Sequence, residues 1–155
     1  MGIMAATRTC FRKYFVFSGR ATRTEYWYFV LFCFLGSFVA AILDGVVFST
    51  ASDGPLNTVF SLATLIPLLS AGWRRMHDTG RSGLYLLYPL IASVGVLSYV
   101  GFLGGMEETL GEMATKLGGI VLIIAMFILM ISPLIVLFWL VRPTQPGPNA
   151  YGPQP

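Results

Sequence analysis

Four long apolar stretches, at 26–48, 56–73, 84–103 and 120–141, constrain this chain more than any other feature. A helix needs roughly 20 consecutive apolar residues to cross a hydrocarbon core of about 30 Å. At about 1.5 Å per residue the four would be about 34, 27, 30 and 33 Å long. Hydrophobic residues make up 55% of the 155-residue chain and charged residues only 11%, against roughly 25% charged in an ordinary soluble domain. Too few charges remain to cover a surface in water. The expectation is an all-α polytopic membrane protein, a bundle of four transmembrane helices.

The basic residues give this bundle an orientation. Arg8, Arg12, Lys13, Arg20 and Arg23 precede the first stretch, Arg74, Arg75 and Arg81 lie between the second and third, and Arg142 follows the fourth. The other two connections hold Lys116 beside Asp53, Glu107, Glu108 and Glu112. Nine of the ten positive charges therefore fall on one side of an even number of crossings, which the positive-inside rule assigns to the cytoplasm. Both termini are expected there. Tyr26, Trp27, Tyr28, Trp73, Tyr85, Tyr88 and Trp139 lie near the same interface, where amphipathic rings prefer to sit. No cleavable leader is expected, because the first apolar run starts late and is too long for one. The net charge of +3 fits this topology better than a nucleic-acid partner.

Three segments follow. Residues 1–25 form a basic, aromatic-rich leader, expected to lie as an amphipathic segment on the anionic inner leaflet. Residues 26–141 hold the four spans. Residues 142–155 contain five prolines, Pro143, Pro146, Pro148, Pro153 and Pro155, and read as an extended cytoplasmic arm. Thr22-Arg23-Thr24-Glu25 has the form of a capping box, with the Thr22 hydroxyl and the Glu25 carboxylate serving amides at the start of the first helix. Pro67, Pro89 and Pro133 each interrupt a span, depriving the carbonyls of Ala63, Tyr85 and Leu129 of their helical partners, so bends are expected at all three. Gly36-x-x-x-Ala40 and the series Ser93, Gly95, Ser98, Gly101 permit close helix approach, within the chain or between copies.

Cys10 and Cys33 are far apart and, with the single histidine His77, offer no metal-ligand spacing. No metal and no cofactor is expected. The polar chemistry gathers in two clusters at the cytoplasmic interface. The first is residues 17–27, with Arg20, Arg23 and Glu25; the second is residues 74–83, with Arg74, Arg75, His77, Asp78, Arg81 and Ser82. Across the interface Glu25 would pair with Arg74 or Arg75, and Asp78 would turn the loop by bonding its own backbone.

The pattern F-x-GRA-x-R-x-E-Y-W, then RR-x-HD-x-G-x-SG, then G-x-N-x-Y-G-x-x-P at Gly147, Asn149, Tyr151, Gly152 and Pro155 resembles the DUF805 family of small bacterial inner-membrane proteins. Thr22 stands where the family is associated with Ser, a change that keeps the capping hydroxyl. The resemblance implies a four-helix protein of the bacterial inner membrane without an assigned activity. It also implies that the arm carrying Asn149 and Tyr151 docks back on the cytoplasmic face.

Three functions compete. The favoured one is a scaffold or accessory subunit whose charged face binds membrane lipids, a larger membrane protein complex or a second copy of the chain, since arginines beside a glycine-rich turn cradle anions. A transporter or oligomeric channel needs ionisable groups near the bilayer midplane, and Asp44, close to the outer end of its span, is the one candidate. A membrane enzyme would use His77 with Asp78 for acid–base work, although neighbours in sequence seldom point at one another and no nucleophile accompanies them.

Overall fold

A computed structural model describes residues 1–49, 54–106 and 112–155; for 103–106 and 112–117 it describes the backbone alone. Asp53, Glu107 and Glu108, counted above on the side opposite the arginines, lie outside the described residues. The described chain is helical: α1 (Ile3–Arg12), α2 (Arg23–Phe48), α3 (Pro55–Asp78), a 3-10 turn (Gly83–Leu87) running into α4 (Tyr88–Met106), and α5 (Glu112–Val141). Four of these helical stretches are long and apolar enough to cross a membrane. Their large apolar side chains face outward, among them Phe34, Val46, Leu62, Leu97 and Met130, each more than 60% exposed. Water would not tolerate such a surface, whereas lipid is its natural solvent.

The chain forms two compact units, one of Met1–Gly83 with Arg142–Pro155, the other of Leu84–Val141. In the first, α2 and α3 are antiparallel neighbours, and α1 lies along them. Phe11, near the end of α1, meets Phe29 and Phe32 edge-on, while Ile3 at its start borders a groove with Gly36 and Val39. The amphipathic leader is thus a helix running antiparallel along α2, and its Ala6 and Cys10 are fully buried.

Gly36 owes its identity to α3: a Cβ there would fall on the Phe60 ring, so the small residue serves contact within the chain. Near the far end of the pair, α3 begins at Gly54-Pro55, whose cap residue has no side chain to receive the first amides. Asp44 of α2 takes that role across the helix pair. Its Oδ1 accepts from the Leu56 amide (3.0 Å) and its Oδ2 from the Asn57 amide (2.8 Å), with Asp44 fully buried. A carboxylate also suits the positive end of a helix.

The prolines sort differently from the expectation. Pro67 and Pro133 lie inside α3 and α5, but Pro89 is the second residue of α4, where no ladder bond is lost, so it starts a helix instead of bending one. The carbonyl orphaned by Pro67 is Ala63, and the Tyr14 hydroxyl donates to it at 3.0 Å. The one orphaned by Pro133 is Leu129, and the buried Ser132 hydroxyl donates to it at 3.0 Å. A hydroxyl thus replaces the missing amide in both helices, as a lipid-facing backbone requires.

In the second unit α4 and α5 close on Val96, Val136 and Leu140. The Tyr99 hydroxyl donates to the Gly118 carbonyl (3.2 Å), and Tyr85 meets Trp139 edge-on at 5.3 Å.

Candidate functional site

The apolar run ends at Trp73, yet α3 continues to Asp78, so Arg74, Arg75, His77 and Asp78 stand on its last turn rather than in a connecting loop. Gly80 ends it. With φ +75° it takes the left-handed position, its amide donates to the His77 carbonyl (3.0 Å), and the Arg81 amide donates to that of Met76 (3.1 Å). This is the Schellman arrangement, for which glycine is the favoured residue. Gly83 is fixed by packing, since a Cβ there would overlap the Trp73 indole.

Asp78 is the hub. Its Oδ1 accepts from Arg20 Nε at 2.9 Å, its Oδ2 accepts from Arg75 Nη1, and all three side chains are 0% exposed. The carboxylate therefore joins two guanidinium groups, and the loop is turned by Gly80, correcting the expectation that Asp78 bonds its own backbone. Arg20 carries the connection onward: Nη2 donates to the Gln145 carbonyl (2.6 Å) and Nη1 to the Gly147 carbonyl (2.7 Å), with the Gly152 carbonyl at 3.4 Å. The second guanidinium nitrogen of Arg75, Nη2, donates to the Arg142 carbonyl.

Glu25 departs from the capping box. Thr22 Oγ1 accepts from the Glu25 amide (3.1 Å) as expected, but the Glu25 carboxylate turns to Arg74 Nη1 at 2.5 Å. The side chains are 7% and 1% exposed. Among the described residues Arg74 Nε and Nη2 have no hydrogen-bond partner. Cys10 of α1 abuts this pair. Burial, and then the Glu25 carboxylate, push its thiol up to about 12.

His77 and Asp78 take different partners. The His77 Nδ1 donates to the Gly19 carbonyl at 3.1 Å, because a carbonyl can only accept. Tyr151 stacks on its ring, and the Asn149 side-chain amide donates to the His77 carbonyl (2.9 Å). The tail is held in a tight loop in which Asn149 and Gly152 exchange backbone bonds and the Tyr151 amide donates to Asn149 Oδ1. These bonds hold Asn149 and Tyr151 of the proline-rich arm against the last turn of α3.

Of the residues expected at the charged face, Arg20, Glu25, Arg74, Arg75, His77 and Asp78 are buried. Asn149 and Tyr151 join them from the tail. Arg23 is exposed on the first turn of α2, while Arg81 and Ser82 are half-buried past the end of α3, where Arg81 Nη1 donates to the Thr79 carbonyl (3.0 Å). Sequence reasoning missed Gln145, whose amide donates to the Asp78 carbonyl (3.1 Å), and Ser70, whose hydroxyl reaches the Val16 (2.8 Å) and Lys13 (2.9 Å) carbonyls. Neither belongs to a motif, so only the folded chain reveals them.

Three separated motifs thus converge on one ionic lock. A family of proteins of unknown function, DUF805, matches residues 14–113, a span that includes the first two. The chain belongs to the DUF805 family. It is 34% identical over 93 residues to inner membrane protein YhaH of Escherichia coli K12, covering 59% of this chain and 77% of that one. It is 37% identical over 92 residues to inner membrane protein YhaI of the same strain, covering 59% and 75%. No solved structure matches. In this DUF805 chain the first two motifs supply the lock's ion pairs, and the tail supplies its remaining acceptors.

Proposed function

We propose that this chain is a multi-pass protein of the bacterial inner membrane, with both termini cytoplasmic. In this reading it acts as a non-catalytic scaffold or accessory subunit whose charged end meets lipid headgroups or a partner membrane protein. The observation that carries the reading is the commitment of His77 and Asp78: the imidazole is held between Gly19 and Tyr151, and both carboxylate oxygens are bound to arginines. Acid–base work needs a group that reaches a substrate proton, and these two groups are spent on holding chain segments together. Asp44, the carboxylate inside an apolar run, is likewise bound to two amides and offers little to an ion path. The distribution of arginines supports the cytoplasmic placement of this end, and the names of the two E. coli relatives support the inner membrane.

The test compares what stays with the full-length chain and with one ending at Arg142 after mild detergent extraction. A defined membrane partner in constant ratio with the full-length chain is the expected result. A turnover lost on His77→Ala while folding and assembly persist would overturn the reading, as would a reporter fused after Gln154 found outside the cytoplasm.

A further inference from the structure

At the root of the tail, bordering the ionic lock, is a cavity of about 410 Å3 lined by Thr79, Arg81, Arg142, Thr144, Gln145 and neighbouring prolines. Its size lies within the range of small-ligand sites, roughly 300–1,000 Å3. Among the described residues two arginines, Arg81 and Arg142, belong to its wall and no acidic residue does. The nearest acid in sequence, Asp78, has one oxygen on Arg20 and the other on Arg75, so it is already neutralised twice. Within the buried cluster three arginines, Arg20, Arg74 and Arg75, face two acids, Glu25 and Asp78, which leaves a surplus positive charge behind the wall.

The wall is also built in advance. Arg75 holds the Arg142 carbonyl, Arg20 holds the Gln145 carbonyl, and the Gln145 amide is tied to the Asp78 carbonyl, so both ends of 142–145 are pinned. Arg81 Nη1 donates to the Thr79 carbonyl (3.0 Å), which holds the second arginine beside another lining residue. Pinning before a ligand arrives removes much of the ordering cost of binding. Guanidinium forks match the paired oxygens of a phosphate.

Depth favours a particular source. Arg142 follows directly on Val141, the last residue of apolar α5, and Arg81 comes just past the end of α3. Both arginines therefore stand at the ends of spans, at the level of headgroup phosphates. We propose that this cavity is a phosphate-binding site, filled by the headgroup of an anionic phospholipid. The inference rests on the headgroup-binding part of the reading above and names the residues that would carry it.

The experiment uses the full chain in a maltoside detergent and measures retention of phosphatidylglycerol by native mass spectrometry, with inorganic phosphate as a second probe read by thermal shift. Wild type should retain one phosphatidylglycerol, and Arg81→Gln with Arg142→Gln should weaken retention by about tenfold or more, as loss of two charge-assisted contacts implies. Arg8→Gln with Arg12→Gln, exposed cations of the leader on α1, should weaken retention far less. Arg142→Lys keeps the charge and the backbone carbonyl but loses the fork; a drop of several-fold supports the site should the double variant fail to fold. A saturable shift with inorganic phosphate, abolished by the same substitutions, would keep the site and assign it to the free anion. Equal retention in the cavity variants, or an equal loss in the α1 variant, would overturn the proposal. That failure leaves the scaffold reading intact, whereas an activity at His77 would sink the scaffold reading without touching the cavity.

Discussion

The phenol ring of Tyr151 lies flat on the imidazole of His77, with centroids 3.8 Å apart and planes 6° from parallel. A residue four from the end of the chain thus covers the last turn of α3, and the same loop delivers acceptors to Arg20. Tyr151→Ala should cost about 0.5–1.5 kcal/mol, the usual worth of a stacked ring pair beyond its area. Ending the chain at Arg142 should cost more. Arg20 would keep Asp78 but lose the carbonyls of Gln145, Gly147 and Gly152, leaving a buried cation partly unsatisfied. Thermal unfolding in detergent reads both, and a truncated chain that melts like the full one would mean the tail is not docked.

The Glu25–Arg74 pair makes a sharper demand, because both side chains are almost completely buried. Removing one member of such a pair costs about 3–5 kcal/mol, while an exposed pair is worth at most about 1. Glu25→Gln should fall in the first range, since Arg74 already has two nitrogens without partners among the described residues. Replacing both residues together, Glu25→Leu with Arg74→Met, should recover most of the loss, because no uncompensated charge is left. A double variant no more stable than Glu25→Gln would show that the pair contributes more than mutual neutralisation.

The spans were legible because hydrophobicity is written locally, residue by residue, and lipid imposes a length. The meeting of Glu25 with Arg74 was legible for a related reason: an even number of crossings returns both motifs to one end. The ends of α3 were not. The apolar run stops at Trp73, yet charged residues continue the helix to Asp78, because Arg20 and Glu25 supply their partners from elsewhere in the chain. Tyr14 with Ala63 illustrates the remaining limit. Pro67 announces an orphaned carbonyl, but which hydroxyl serves it depends on how α1 lies against α3, and that is decided by packing.

Asp44 carries a second signal beside its place in an apolar run: the Gly54-Pro55 helix start that follows it lacks a capping side chain. Asp44→Ala should destabilise by about 2 kcal/mol, the upper end of helix-cap losses, because its two amides are served from a buried site. Asp44→Asn, keeping one acceptor, should lose roughly half of that. Gly54→Ala offers an independent check. Its φ of -75° permits alanine, but the new Cβ would collide with the Asp44 carboxylate, so it should destabilise as well. A Gly54→Ala chain with unchanged melting would place Asp44 away from the start of α3.

Cys10 tests whether α1 is seated on its neighbours. Burial first and the Glu25 carboxylate second raise its thiol from the ordinary 9.0 to about 12. The thiolate is the reactive form, so at pH 8 the folded chain should resist maleimide at Cys10 for hours, while detergent-unfolded chain is modified within minutes, as peptide mapping by mass spectrometry would show. The same shift gives stability a pH dependence. The folded state holds the proton more tightly than the unfolded one, so this contribution is intact below pH 9.0 and is lost progressively as pH rises toward about 12. Cys10→Ala removes the titrating group, and its melting temperature should therefore fall less steeply over that alkaline range than that of the wild type. Rapid labelling of folded chain at pH 8 would show that α1 leaves its seat against α2, and the burial that raises the thiol would not hold in the membrane protein.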